Sequence, residues 1–200
     1  MKIAVGSDHA GFELKKAALT SLAALGVQAE DMGCFDKASA DYPDYARAVA
    51  EKVSDGSVDQ GLLICSTGIG MSIMANKFPR VRAALCMNPR MARMARAHNN
   101  ANVIVFGAEF VTGDMLAELL KEWVGGSFDN SERHRRRVGK IGRYACSASD
   151  PVALYEADAA GDGQRAAALH RRVMAISRAL YHVGRHASSY LKGVKCALAC

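Results

Sequence analysis

The sequence predicts an α/β fold with a central parallel β-sheet, and three features of the chain indicate this. Short aliphatic or β-branched runs alternate with longer Ala-rich amphipathic stretches as far as about residue 123, which is the pattern of βαβ units. Runs such as residues 62–64 and 103–106 lack strict alternation, as is typical of strands covered on both faces. The segments between these stretches are short, as such folds prefer.

Five strands are predicted at the apolar runs, over residues 2–6, 27–31, 61–64, 82–85 and 102–106. The amphipathic stretches predict helices over residues 11–25, 44–54, 68–76, 89–97 and 112–123. Gly26 follows the first helix, where a glycine commonly ends a helix. Ligands of open α/β sheets bind beyond the carboxyl ends of the strands, so the residues after each strand are the first candidates for a site.

The C-terminal third has a different character. Gly125 and Gly126 end the last helix associated with the sheet, and residues 132–144 predict a strongly basic helix. Residues 147–150 are typical of a linker, and residues 164–183 repeat apolar side chains at helical spacing. We therefore expect one domain over residues 1–146 and a helical C-terminal extension over residues 147–200.

Composition excludes several classes of protein. A chain of 200 residues and 21.4 kDa is long enough for one domain with an appendage, and its 50% hydrophobic and 23% charged residues indicate a globular protein rather than a disordered one. No apolar stretch approaches the ~20 residues that span a bilayer, and the N-terminus lacks the pattern of a secretory signal. We expect no membrane partner, a cytoplasmic location and cysteines that remain thiols.

The net charge of +6 is unevenly distributed. Residues 1–130 carry 13 Lys and Arg against 15 Asp and Glu, whereas residues 131–200 carry 13 against 5. The basic excess therefore belongs to the C-terminal third, and nucleic acid is not expected as a partner. An anion-binding site, if there is one, must be local.

The strongest local signal is the stretch from Leu62 to Ser72, in which a buried strand delivers Cys65 into a glycine-bearing turn that opens a helix. Backbone N–H groups of residues 66–70 and the helix dipole favour an anion or the thiolate form of Cys65, which makes Cys65 a candidate base or nucleophile. The alternative is a buried structural cysteine. The turn has neither the P-loop lysine nor the spacing of a dinucleotide fingerprint, which disfavours ATP and NAD.

Other polar residues stand at plausible positions for a site. Asp8 and His9 follow the first strand and are suited to hold sugar hydroxyls, although Asp8 is equally suited to cap the next helix. His98 ends the fourth helix, where a histidine can simply complement the dipole. Arg133 and Arg137, four residues apart, project from one face of a helix and can clamp a phosphate, or can form a solvated face.

Six motifs occur in order along the chain, at residues 6–12, 41–45, 65–70, 75–77, 98–103 and 133–138. Together they resemble the ribose-5-phosphate isomerase type B family, which also includes galactose-6-phosphate isomerase subunits, over about residues 1–146. The resemblance implies a Rossmann-like three-layer α/β/α sandwich with a five-stranded parallel sheet. It also implies a homodimer or homotetramer with active sites composed across a subunit interface. The scattered Cys and His residues lack the spacing of a zinc site, and neither a metal nor a cofactor is expected.

The resemblance further implies an aldose–ketose isomerase of the pentose phosphate pathway that converts ribose 5-phosphate to ribulose 5-phosphate through a cis-enediolate. In the implied mechanism Cys65 is the base, Thr67 assists the base or the oxygen of the opened sugar, and His98 opens the furanose ring. Arg133 and Arg137 hold the phosphate, and the other residues implied to bind substrate are Asp8, His9, Tyr42, Ser66, Gly68, Ile69, Gly70 and Asn99. Backbone N–H groups of residues 66–70 are suited to stabilise the oxyanion of the intermediate.

Two departures from the family pattern leave alternatives open. Members of the family usually have an arginine of the phosphate clamp shortly after the fifth strand, whereas this chain has Glu109, a carboxylate that repels a phosphate dianion. The substrate could then be a hexose phosphate or an unphosphorylated sugar, with Glu109 accepting hydrogen bonds from hydroxyls. The extension over residues 147–200 is the second departure, and together with Glu109 it keeps open a non-catalytic accessory subunit that binds a sugar phosphate.

Overall fold

A computed structural model describes residues 1–143, which form a parallel five-stranded sheet between two layers of helices. The strands are β1 (Lys2–Ser7), β2 (Gln28–Asp31), β3 (Gln60–Cys65), β4 (Ala83–Leu85) and β5 (Val103–Gly107). The helices are α1 (Phe12–Ala24), α2 (Tyr42–Asp55), α3 (Ile69–Ala75), α4 (Pro89–Asn99), α5 (Gly113–Gly125) and α6 (Glu132–Arg143). The predicted Rossmann-like α/β/α sandwich is confirmed; the predicted extension over residues 147–200, with its helix at 164–183, lies outside the described residues.

Apolar side chains on both faces of the sheet hold the helical layers in place. On β5, Ile104 and Phe106 pack into a core that includes residues of α1, α4 and α5, whereas Val103 and Val105 pack toward α2 and α3. Strands β3 and β5 are buried along their whole length, as their unbroken apolar runs predicted. The edge strands β2 and β4 are partly exposed.

The strands lie in the order β2-β1-β3-β5-β4, so β2 and β3 lie on opposite sides of β1. After β1 the chain moves to one side to form β2 and then crosses to the other side to form β3. The loops that leave the carboxyl ends of β1 and β3 therefore diverge, and a crevice opens between them. Ser7 pairs with Ile64 in this register, and the N–H of Asp8 donates to the Ile64 carbonyl at 3.2 Å. Asp8 and Cys65 thus lie side by side at the crevice.

The element bounds differ from the predicted ones by one or two residues, because capping moves the ends of helices. Helix α2 begins at Tyr42, after an extended Asp41 and with Pro43 in the first turn. Helix α4 continues through Asn99 and ends at Asn100, which adopts a left-handed conformation with φ of 47°. Gly26, with φ of 70°, follows α1 as predicted.

A buried cation that the sequence pattern did not indicate anchors the turn after β2. Lys15 of α1 is 1% exposed, and its Nζ donates to Asp31 Oδ1 at 2.5 Å and to the Cys34 carbonyl at 2.6 Å. The N–H of Gly33 also donates to Asp31 Oδ1, at 2.9 Å. The backbone N–H of Ser7 donates to the Gly33 carbonyl, and the Ser7 carbonyl accepts from the N–H of Cys34, each at 2.7 Å. Lys15 therefore ties this turn to α1, and the backbone bonds of Ser7 tie it to the end of β1.

Replacing Lys15 by methionine is expected to destabilise the domain by about 3 kcal/mol, because breaking a buried ion pair leaves its partners without compensation. The matched control is Lys16→Met on the same helix, where the lost pair with Glu13 is exposed to solvent and is expected to contribute little to stability. Urea unfolding of the two variants measures the difference. Equal free energies of unfolding would contradict the anchoring role of Lys15.

Candidate active site

Cys65 is the last residue of β3 and lies where the chain turns from the sheet into α3. The residue is 5% exposed, and the N–H of Gly68 donates to its sulfur at 3.1 Å. Gly68 has φ of 78°, and a Cβ at this position would lie 2.5 Å from Leu85 Cδ1 and 3.0 Å from the backbone of Phe106. Only glycine fits there, so this residue lets the turn fold back far enough to present an amide to the thiol.

The other side of the turn is closed by Tyr42, the first residue of α2. A Cβ on Gly70 would fall 2.5 Å from Tyr42 Cζ and 2.8 Å from its hydroxyl oxygen, so the phenol ring lies directly on the glycine. Thr67 Oγ1 accepts a bond from the N–H of Ile69 at 3.3 Å, which orients the hydroxyl within the turn. The structure thus brings together the predicted residues of the third strand and Tyr42.

Asp8 and His9 border the same crevice from the end of β1. Asp8 is buried, and its Oδ1 accepts from Gly11 N–H at 3.0 Å; because Gly11 is itself the N-cap of α1, this bond holds the turn before the helix, and the interpretation of Asp8 as the N-cap is wrong. His9 is exposed, and its Nδ1 accepts from Ala40 N–H at 3.1 Å, which places the proton of the neutral ring on Nε2. Asp8 lies beside Cys65, as the parallel sheet predicted, and His9 follows Asp8 in the chain.

Ser66 links the turn to Glu109, which follows β5. Ser66 Oγ donates a short hydrogen bond to Glu109 Oε1. Two backbone bonds hold the segments together: Ala108 N–H donates to the Cys65 carbonyl at 2.8 Å, and Glu109 N–H donates to the Ser66 carbonyl at 3.0 Å. The Glu109 carboxylate is therefore fixed beside the turn that carries Cys65.

Four other predicted site residues lie on helices α4 and α6 and not at the crevice. His98 and Asn99 end α4, and Arg133 and Arg137 lie exposed on α6, which packs against α4. Helix α4 returns from the carboxyl edge of the sheet to its amino edge, where Gly61 N–H donates to the Asn102 carbonyl at 2.8 Å.

The distance between the two groups follows from the strands. The four steps along β3 from Gly61 to Cys65 span about 13 Å. Within one chain, His98, Asn99 and the two arginines are thus separated from Cys65 by the length of the sheet.

His134 is a residue of this second group whose packing the sequence analysis missed. It is 2% exposed, and its ring stacks on His98 with 4.3 Å between centroids and 32° between planes. Its Nδ1 lies 3.1 Å from Asp129 Oδ2, although the contact lacks the geometry of a hydrogen bond. The available signal was the spacing of His134 and Val138, four residues apart, which indicates the inward face of α6.

The cysteines of the described region differ in their surroundings. Cys34, Cys65 and Cys86 are free thiols. Burial raises the pKa of the Cys86 thiol to about 12, so this residue is protonated and inert at neutral pH. In residues 1–143 no group of three His, Cys, Asp or Glu side chains is placed to hold a metal ion. Every helix over the same residues is too short or too polar to span a membrane.

Known proteins share this fold and sequence. Residues 3–141 match the model of the family described as Ribose/Galactose Isomerase. The chain is 42% identical over 140 residues to ribose-5-phosphate isomerase B of Escherichia coli strain K12, a match that covers 70% of this chain and 93% of that protein.

Solved structures agree with this likeness. Ribose-5-phosphate isomerase B of Clostridium thermocellum has 45% identity and a TM-score of 0.70, with 72% of this chain and 96% of that chain covered. The Mycoplasma genitalium ribose-5-phosphate isomerase B with bound ribulose-5-phosphate has 39% identity and a TM-score of 0.68, with 72% and 95% covered. Since the family model spans most of the chain and the relatives are matched over nearly their whole length, the chain belongs to the ribose/galactose isomerase family.

Proposed function

We propose that the protein is a cofactor-independent aldose–ketose isomerase that acts on a sugar phosphate, with ribose 5-phosphate and ribulose 5-phosphate as the favoured pair. The observation that carries this proposal is the thiol of Cys65, which ends β3 at the crevice beside Asp8 and accepts a backbone N–H of Gly68. The names of the relatives and the ribulose-5-phosphate bound to the Mycoplasma genitalium protein support the choice of substrate. A phosphorylated sugar is also consistent with the expected cytoplasmic location.

The thiolate of Cys65 is suited to move a proton between C1 and C2 of the open-chain sugar. It takes the proton from C2 of the aldose, the C–H electron pair forms the C1–C2 double bond, and the carbonyl electrons move onto O1. In the resulting cis-enediolate the O2 hydroxyl proton passes to O1, the electron pair left on O2 forms the C2 carbonyl, and C1 takes the proton back from the Cys65 thiol, which gives the ketose. General-base catalysis of this kind contributes about 10²–10⁴-fold to a rate.

The charge that develops on O1 needs preorganised donors. The N–H groups of Gly68 and Ile69 are already bonded to Cys65 and Thr67, so the proposed donors are the other backbone N–H groups of residues 66–70 and the Thr67 hydroxyl. Removing one such donor commonly costs about 10²–10³-fold in rate. Asp8, His9 and Tyr42 surround the same crevice and are suited to bind hydroxyl groups of the sugar.

A second copy of the chain is the proposed source of the remaining groups. His98, Asn99, Arg133 and Arg137 cannot reach Cys65 of their own chain, because they lie at the other edge of the sheet. Exposed apolar side chains flank the carboxyl edge and provide a surface for a partner; they are Phe35, Tyr42, Ile69, Ile73 and Phe110. A homodimer, alone or within a tetramer, would place the paired arginines of one protomer over the thiol of the other.

The proposed function assigns no role to residues 147–200. The family model ends at residue 141, so the extension is proposed as an addition to the isomerase domain over residues 1–146.

Replacing Cys65 by alanine or serine is expected to abolish isomerisation and exchange of substrate C–H protons with solvent, while binding survives, because only the base is lost. Proton NMR in D₂O measures the exchange, and calorimetry measures binding of ribose 5-phosphate. Cys86→Ala, which removes a protonated core thiol, is the matched control and is expected to keep its activity. Full activity in both Cys65 variants would refute the proposed mechanism.

Mixing two inactive variants tests the composite site. In a heterodimer of Cys65→Ala and Arg137→Ala chains, one of the two sites combines an intact thiol with an intact arginine. Random reassociation of equal amounts is therefore expected to restore about a quarter of the wild-type activity, since half of the dimers are mixed and each has one whole site. Activity measured after co-expression or refolding together checks this. A mixture no more active than its separate parts would indicate that each site is built from a single chain.

A further inference from the structure

Glu109 is a charged residue of the crevice that the proposed mechanism leaves without a role. Its backbone and its carboxylate are both bonded to Ser66, the residue next to Cys65. The side chain is exposed toward solvent, and within residues 1–143 no Lys or Arg forms an ion pair with it. A fixed and uncompensated negative charge thus stands at the wall of the site.

The chemistry of a carboxylate at this position separates two kinds of ligand. One Oε1 lone pair is used by Ser66, and the other acceptor positions of the carboxylate are suited to hydroxyl groups of a sugar. A phosphate dianion meets repulsion instead. If about 8 Å separates the carboxylate from the phosphate dianion, the repulsion between them in the permittivity of water weakens binding of the phosphorylated sugar about sixfold at low ionic strength.

We propose that Glu109 is a specificity-determining residue, which lowers the preference of this site for a phosphorylated sugar over the same sugar without its phosphate. The inference rests on the proposed function, since it takes the crevice at Cys65 as the sugar site. It assigns the wall formed by Ser66 and Glu109 to the hydroxyl-bearing part of the ligand. The phosphate of a phosphorylated substrate then lies away from this wall, toward the cationic face supplied by Arg133 and Arg137.

The test compares D-ribose with ribose 5-phosphate, which differ only in the phosphate, on the full-length protein at low salt. Dissociation constants are measured by calorimetry and kcat/KM by turnover. In Glu109→Gln the preference for the phosphorylated sugar is expected to rise about sixfold, and in Glu109→Arg about thirtyfold, because the change in charge doubles. The amide of the Glu109→Gln variant keeps an oxygen that can accept the Ser66 hydroxyl, so the turn is preserved in that variant.

Two controls separate this effect from a structural one. Glu118→Gln and Glu118→Arg change the same charge on the exposed face of α5 and are expected to leave the preference unchanged. At about 0.5 M salt the effect of Glu109→Gln is expected to shrink, because screening weakens a Coulombic term and leaves a packing defect untouched.

The outcomes also distinguish this inference from the proposed function. If the binding preference stays within about twofold of the wild type in both Glu109 variants, or changes equally in the Glu118 variants, the inference is overturned. If folded wild-type protein turns over neither sugar, the proposed function fails, and the ratio of the two dissociation constants still decides the role of Glu109.

Discussion

The close approach of the Gly68 turn to the ends of β3 and β5 is the constraint on which the site depends. The N–H of Gly68 reaches the Cys65 sulfur because this residue has a positive φ and no side chain between it and the backbone of Phe106. Any larger residue would push the turn outward and separate the amide from the thiol. The turn also sets where Thr67 and Gly70 lie, and with Gly70 the ring of Tyr42.

The direction of the strands explains why four of the predicted site residues, His98, Asn99, Arg133 and Arg137, are absent from this crevice. In a parallel sheet, residues that follow strands collect at the carboxyl edge, whereas residues that end the returning helices collect at the amino edge. Cys65 and Asp8 belong to the first set, and His98 with its stacked neighbour His134 belongs to the second. A site that uses both sets needs two chains, which is why the proposed function includes a second copy.

Charge is distributed over the same two edges. The carboxyl edge holds the carboxylates of Asp8 and Glu109 beside the thiol, and the helix next to the amino edge holds Arg133 and Arg137 on its exposed face. If two copies bring these edges together, a ligand between them meets acceptors for hydroxyl groups at one end and cations at the other. Such an arrangement matches a sugar with a phosphate at one end, and the role proposed for Glu109 is to lower the preference of the site for the phosphorylated sugar.

The pattern of the sequence by itself determined the α/β class, the five parallel strands and the position of Asp8 beside Cys65, because periodicity and chain order are local properties and parallel strands deliver their ends to one edge. The three-layer sandwich and the place of Tyr42 in the site came from the family resemblance. The helix ends at Tyr42 and Asn99 were missed by two residues, since caps shift bounds without changing the pattern. Only the tertiary structure decided that Lys15 is a buried cation, that His134 stacks on His98 and that His98 lies at the opposite edge of the sheet from Cys65. These relations depend on strand order and on contacts between distant segments, which no spacing along the chain records.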